Sequence, residues 1–175
     1  MIRDWRPLIV SMIEVQRALF EADKERLWEY HLPRVAASEA TLARVERHLG
    51  FQLDAVYRAF LAMADGWPWF SQSVKLLFGS PELSGSPALL VANAMLDAAE
   101  PYLEAQCGVK RSAVFPIAVS PMDRDVFFMQ LQECVLRPPI VWLAGEEIDR
   151  YVSFAEFFAS MIEYNKLQLK ALRGS

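Results

Sequence analysis

The chain has 175 residues, 54% hydrophobic and 12% aromatic, with seven glycines and ten prolines. That composition excludes a disordered, collagen-like or linker-dominated chain. It predicts one ordinary domain whose core needs no disulfide or metal staple. Eighteen Lys and Arg against 22 Asp and Glu leave a net charge of −4, which argues against holding nucleic acid through a basic field.

Cys107 and Cys134 are too few for a disulfide framework and form no Cys-x-x-Cys, so they read as small buried hydrophobes in a reducing compartment. Arg3 and Arg6 are followed by Asp4, Glu14 and Arg17, a pattern without the apolar stretch of a signal peptide. No apolar run reaches the roughly 18 residues of a membrane span. A soluble, cytoplasmic protein is expected.

Residues 4 to about 29 predict one long amphipathic helix, with Trp5, Leu8, Ile9, Met12, Ile13, Leu19 and Phe20 at helical spacing. His31-Leu32-Pro33 ends it, because the residue before a proline avoids the α region. Ser38 reads as the N-cap of a second helix carrying Leu42, Val45 and Leu49, closed by Gly50. Asp54 caps a third, with Val56, Tyr57, Phe60, Leu61 and Ala64 facing inward and Gly66 as its stop.

Trp67-Pro68-Trp69-Phe70 breaks the helical period, and Leu76-Leu77-Phe78 is a short strand candidate. Residues 79–87 are rich in Gly, Ser and Pro and read as a loop. Ser86-Pro87 then starts a helix that Pro101 kinks or ends. Val114–Val119 and Val126–Leu131 flank a hairpin loop, Ile140–Leu143 is a third strand, and Glu146, Glu147 and Asp149 follow on a charged connection. Ser153-Phe154-Ala155-Glu156 is a capping box that opens the closing helix. The order predicts an α+β fold, an antiparallel sheet of about four strands packed against helices.

No constellation for catalysis emerges. His31 sits at a helix end and His48 in a last helical turn, neither with a partner at ligand spacing. Phosphate-cradling glycine loops and the serine elbow are missing. The sequence predicts no catalytic residue, cofactor or metal. Two groups invite a binding role instead. Asp123, Asp125, Glu133, Glu146, Glu147 and Asp149 form a solvated face, a docking face for a basic partner or a divalent-metal site, the last against the missing loop length and terminal Glu of a calcium hand. Trp67, Trp69 and Phe70 are core wedges if buried and interface anchors if exposed.

These residues also carry a resemblance. Leu42-x-x-Val45-Glu46-x-x-Leu49-Gly50-Phe51-x-Leu53-Asp54-x-x-Tyr57-Arg58-x-Phe60-Leu61, followed by Asp65-Gly66-Trp67, resembles the opening of the SUKH superfamily, the Smi/Knr-type immunity and regulatory proteins. Phe115-Pro116-Ile117-Ala118, Asp125-Val126-Phe127-Phe128-Met129 and Ser153-Phe154-x-Glu156-Phe157-Phe158 are similar to its strands and closing helix. Asp54 stands where the family has Pro, and Asp65-Gly66-Trp67 where it has Asn-Gly-Gly. The resemblance covers about residues 38 to 165. It implies a SUKH-like domain over 38–175, with residues 1–37 as an extra helical extension that covers a face or makes a homodimer. It further implies a non-catalytic immunity protein that neutralises a cognate toxin domain, often a nuclease, by direct binding. A regulatory or scaffold module binding a cellular protein is the alternative.

Overall fold

The computed structural model describes residues 4–131 and 138–174, so Glu133 and Cys134 lie outside the described residues. Helix α1 (Arg6–Ala22) buries Met12, Val15, Gln16 and Leu19. It stops about seven residues earlier than the periodicity suggests. The Asp23 carboxylate accepts the backbone N–H of Trp28 at 3.0 Å, a local bond that competes with further helix. Helix α2 (Glu39–Leu49) has its expected ends: Ser38 Oγ accepts from the Thr41 N–H, and Gly50 adopts φ 78°. Helix α3 (Ala55–Leu61) is capped by Asp54, whose carboxylate accepts from the Val56 and Tyr57 N–H groups at 2.9 Å each. Gly66 is not its stop. The chain after Leu61 turns to pair with residues 34–35, through a Val35–Ala64 bridge and an Arg34 N–H to Gly66 carbonyl bond.

Strands β1 (Trp67–Pro68) and β2 (Leu76–Leu77) are only two residues each, and helix α4 (Ser80–Leu83) lies within the stretch expected to be loop. Helix α5 (Pro87–Cys107) starts on its Ser86 cap and continues through Pro101. The missing Pro101 N–H forfeits one helical bond, and burial of Ala99, Leu103 and Cys107 in that segment offsets the loss. A single 3₁₀ turn leads into β3 (Val114–Ser120), then β4 (Asp125–Gln130), β5 (Ile140–Leu143), β6 (Glu147–Tyr151) and helix α6 (Phe154–Gly174).

Among the described residues the strands form one antiparallel meander in the order β1 to β6. The fold is α+β, with six strands rather than about four. β1 is too short to leave a periodic signal, and β6 is an edge strand whose charges hide it, as edges commonly carry charge against stray pairing.

Helix α5 lies over β3 and β4 on one face of the sheet. On the other face Phe127 meets Phe157 of α6 at 5.5 Å, and Trp142 meets Tyr164 of α6 at 6.0 Å. Helix α1 packs along α6, and Trp5 closes the cluster against Phe60, Phe154 and Phe158 at 5.3–5.5 Å. The N-terminal stripe therefore packs on its own chain, with Trp5, Met12 and Leu19 buried and Leu8, Ile9, Ile13 and Phe20 partly so. Arg34 ties the same segment down through a two-pronged pair with Glu82 at 2.7 and 2.8 Å. Gly66 and Gly79 touch beneath it: a Cβ on Gly66, at φ +80°, would fall 2.6 Å from the Gly79 nitrogen. No described helix is long and apolar enough to cross a membrane.

Candidate partner-binding site

Trp67 and Phe70 are fully buried, which corrects any docking role for them. The Trp67 indole N–H donates to the His31 carbonyl at 2.8 Å, and its ring packs on Phe70 and Phe158. Both are core wedges. Trp69 is different. It is half-buried in the β1–β2 turn at φ 52°, with the Lys75 ammonium 4.3 Å above its ring. The Gln16 amide clamps this turn by donating to the Trp69 and Phe70 carbonyls at 3.1 and 2.6 Å.

The meander places the acidic residues. Leu76 pairs with Val119 and Val126 with Leu143, so the β1–β2, β3–β4 and β5–β6 turns share one end of the sheet. Trp69, Asp123 and Glu146 lie in separate turns along that end, and Asp123 and Glu146 are exposed.

The other predicted carboxylates do not join them. Asp125 is buried and accepts the Trp142 indole N–H at 2.8 Å. Burial pushes its carboxyl above the ordinary aspartate value, and the charge of Asp123 adds to this. Glu147 pairs with Arg150 at 2.6 and 2.8 Å. That contact holds its carboxyl below the ordinary glutamate value, against partial burial. Arg150 also donates to the Cys107 carbonyl at the end of α5. A register shift between Trp142 and Leu143 puts Glu147 opposite Leu143 and Asp149 opposite Trp142. Glu147 therefore points to the α5 face and Asp149 to the α6 face.

Beside the β3–β4 and β5–β6 turns an apolar groove of about 510 Å³ opens between α5 and the sheet, lined by Val91, Ala94, Ala98 and Tyr102 of α5 with Pro121, Arg124 and Gly145 of the turns. Met122 at its margin is 89% exposed, and Leu90 on α5 is 69% exposed. These residues stand outside the sites expected from the sequence. Their signal was present in Leu89-Leu90-Val91-Ala92, where apolar residues run beyond the one face a helix can bury.

His31 bonds Glu29 at 2.7 Å, and His48 is exposed in the last turn of α2. Among the described residues no three His, Cys, Asp or Glu side chains come together as a metal cage. In chemical terms the end of the sheet offers an apolar slot under α5 bordered by Arg124, with the exposed carboxylates of Asp123 and Glu146 in the turns beside it, while the Trp69 indole lies on the α1 and α6 side. No protein-family model matches this sequence and no curated protein matches it, which leaves the chemistry of these surfaces as the guide to function.

Proposed function

We propose that this protein is a non-catalytic binding module of the SUKH type, a cytoplasmic immunity protein that neutralises a cognate toxin domain by direct contact. The observation that carries this reading is the apolar groove of about 510 Å³ between α5 and two neighbouring hairpin turns at one end of the sheet. An apolar side chain of the toxin enters the groove between α5 and the turns. Burying one side chain of leucine size there contributes about 1.5–3 kcal/mol. Asp123 and Glu146 face a basic surface on the toxin, such as the cleft of a nuclease, and speed its approach. Their field is screened over about 8 Å at physiological salt.

Co-expression with the toxin domain encoded beside this chain tests the reading. Growth is rescued by the native protein and lost with Ala98→Glu, which fills the groove with a charge. Asp123→Lys with Glu146→Lys slows association and flattens its salt dependence while the fold persists. Absence of rescue by the native protein, with no complex formed, would favour a regulatory or scaffold module that binds a cellular protein instead.

A further inference from the structure

Helix α6 presents a second surface, on the opposite side of the sheet from the groove just described. Glu156, Ala159, Ser160, Glu163, Tyr164 and Leu167 follow one another at i, i+3, i+4, i+7, i+8 and i+11, a single stripe along the helix. With Asp149 of β6 they line an open groove of about 450 Å³. Tyr164 is 43% and Leu167 64% exposed, and Val152, whose N–H meets Glu156, is 68% exposed. Ala159 and Ser160 sit in the middle of the stripe, where small side chains let a second helix come close. The stripe from Glu156 to Leu167 is about 17 Å long, three helical turns.

Its charge has one sign. Asp149, Glu156 and Glu163 line the groove, and no Lys or Arg is among its lining residues. Lys166 reaches Glu163 from beside it at 2.8 Å, an exposed pair of little energetic weight. The Tyr164 hydroxyl donates to Asp149 at 3.4 Å, and the buried Tyr151 hydroxyl lies beside both.

We propose that this groove docks a basic amphipathic helix of a partner protein. The apolar stripe of that helix packs on Tyr164, Leu167, Ala159 and Val152, and its Lys or Arg residues meet Asp149, Glu156 and Glu163. A second copy of this chain is a poor occupant, because a symmetric contact would set the same carboxylates against each other. The docking does not depend on the hairpin-end site or on the immunity reading.

The test titrates the full chain with a synthetic amphipathic helix of about four turns, built from Leu, Ala and Lys, and follows Trp142, whose ring lies 6.0 Å from Tyr164. The same peptide with Glu in place of Lys is the control. The Lys peptide binds, the Glu peptide does not, and added salt weakens the complex. Glu163→Lys with Leu167→Asp lowers affinity at least ~10-fold without moving Tm, since both residues are exposed and make no core contact. Glu156 is left intact because it accepts the Val152 N–H ahead of α6. Equal binding of both peptides, no binding of the Lys peptide, or unchanged affinity in the double variant overturns the proposal. A dimer of the native chain that the double variant dissolves would give the groove to a second copy and overturn it equally.

Discussion

The two faces of the sheet are built differently. On the α6 side Trp5, Phe60, Phe70, Phe154, Phe157 and Phe158 fill the space between three helices, with ring centroids mostly 5–6 Å apart and every one of these side chains buried. On the α5 side a single helix rich in Ala and Leu lies over the sheet, and its upper end leaves a groove and the exposed Leu90 and Val91. Aromatic rings offer large area and few rotamers, so they fill a layer completely. Small side chains lay a helix down closely but leave space wherever the sheet turns away. The first construction gives cohesion, and the second leaves apolar surface available to a partner.

The largest way to break this contrast is Trp5→Ala. It removes a fully buried indole that joins α1 to α3 and α6, at a cost of about 3–5 kcal/mol. Denaturant melts report it as a fall in midpoint. Leu90→Ala on the opposite side stays within about 0.5 kcal/mol, because Leu90 is 69% exposed. Comparable losses from the two variants would show that the α5 side is as tightly built as the other.

Arg34→Met comes next. Glu82 is buried and pairs with Arg34 while accepting the Gly79 N–H. Removing the cation leaves a buried carboxylate facing only that donor. The cost is about 2–3 kcal/mol, below that of a fully buried pair because Arg34 keeps a third of its side chain in water. The melts should show Glu82→Gln on top of Arg34→Met recovering part of the loss.

Asp125→Asn sharpens the contrast through pH. The folded-state pKa of Asp125 is raised, chiefly by burial. The folded chain therefore holds this proton more tightly than the unfolded chain, and ionisation costs stability as pH rises from the ordinary aspartate range through the raised value. The variant keeps an acceptor for the Trp142 indole and carries no charge. Its Tm should exceed that of the native chain at neutral pH, with the difference vanishing below pH ~4. A constant difference across that range would mean that packing, not charge, sets the effect.

The smallest effect is chemical. Burial pushes the Cys107 thiol up to about 11, with Glu147 adding to the shift. Iodoacetamide at pH 8 should leave Cys107 unmodified in the native protein and label it after denaturation, read by peptide mass. Ready labelling of the folded chain would place the lower end of α5 open to solvent.

Features decided by a few neighbouring residues were legible in the sequence. Ser38, Asp54, Ser86 and Ser153 cap the helices that follow them, and Gly50 closes α2, because each needs only a donor or a backbone angle within about one turn. The three apolar strands and the final helix were equally readable, since each carries its own run of hydrophobic residues. What depended on distant partners was not. α1 ends early because Asp23 turns back to Trp28, α3 ends early because residues 64–66 pair with residues 34–35, and β6 is a strand only because β5 lies beside it. The candidate site divides along the same line. The acidic and aromatic residues could be named from the sequence. That Trp67 and Phe70 are buried, that Asp125 and Asp149 turn toward α6, and that Trp69, Asp123 and Glu146 share one end of the sheet are consequences of register. A shift of one residue in a strand reverses which face each side chain takes, and only the packed sheet and its helices select among those alternatives.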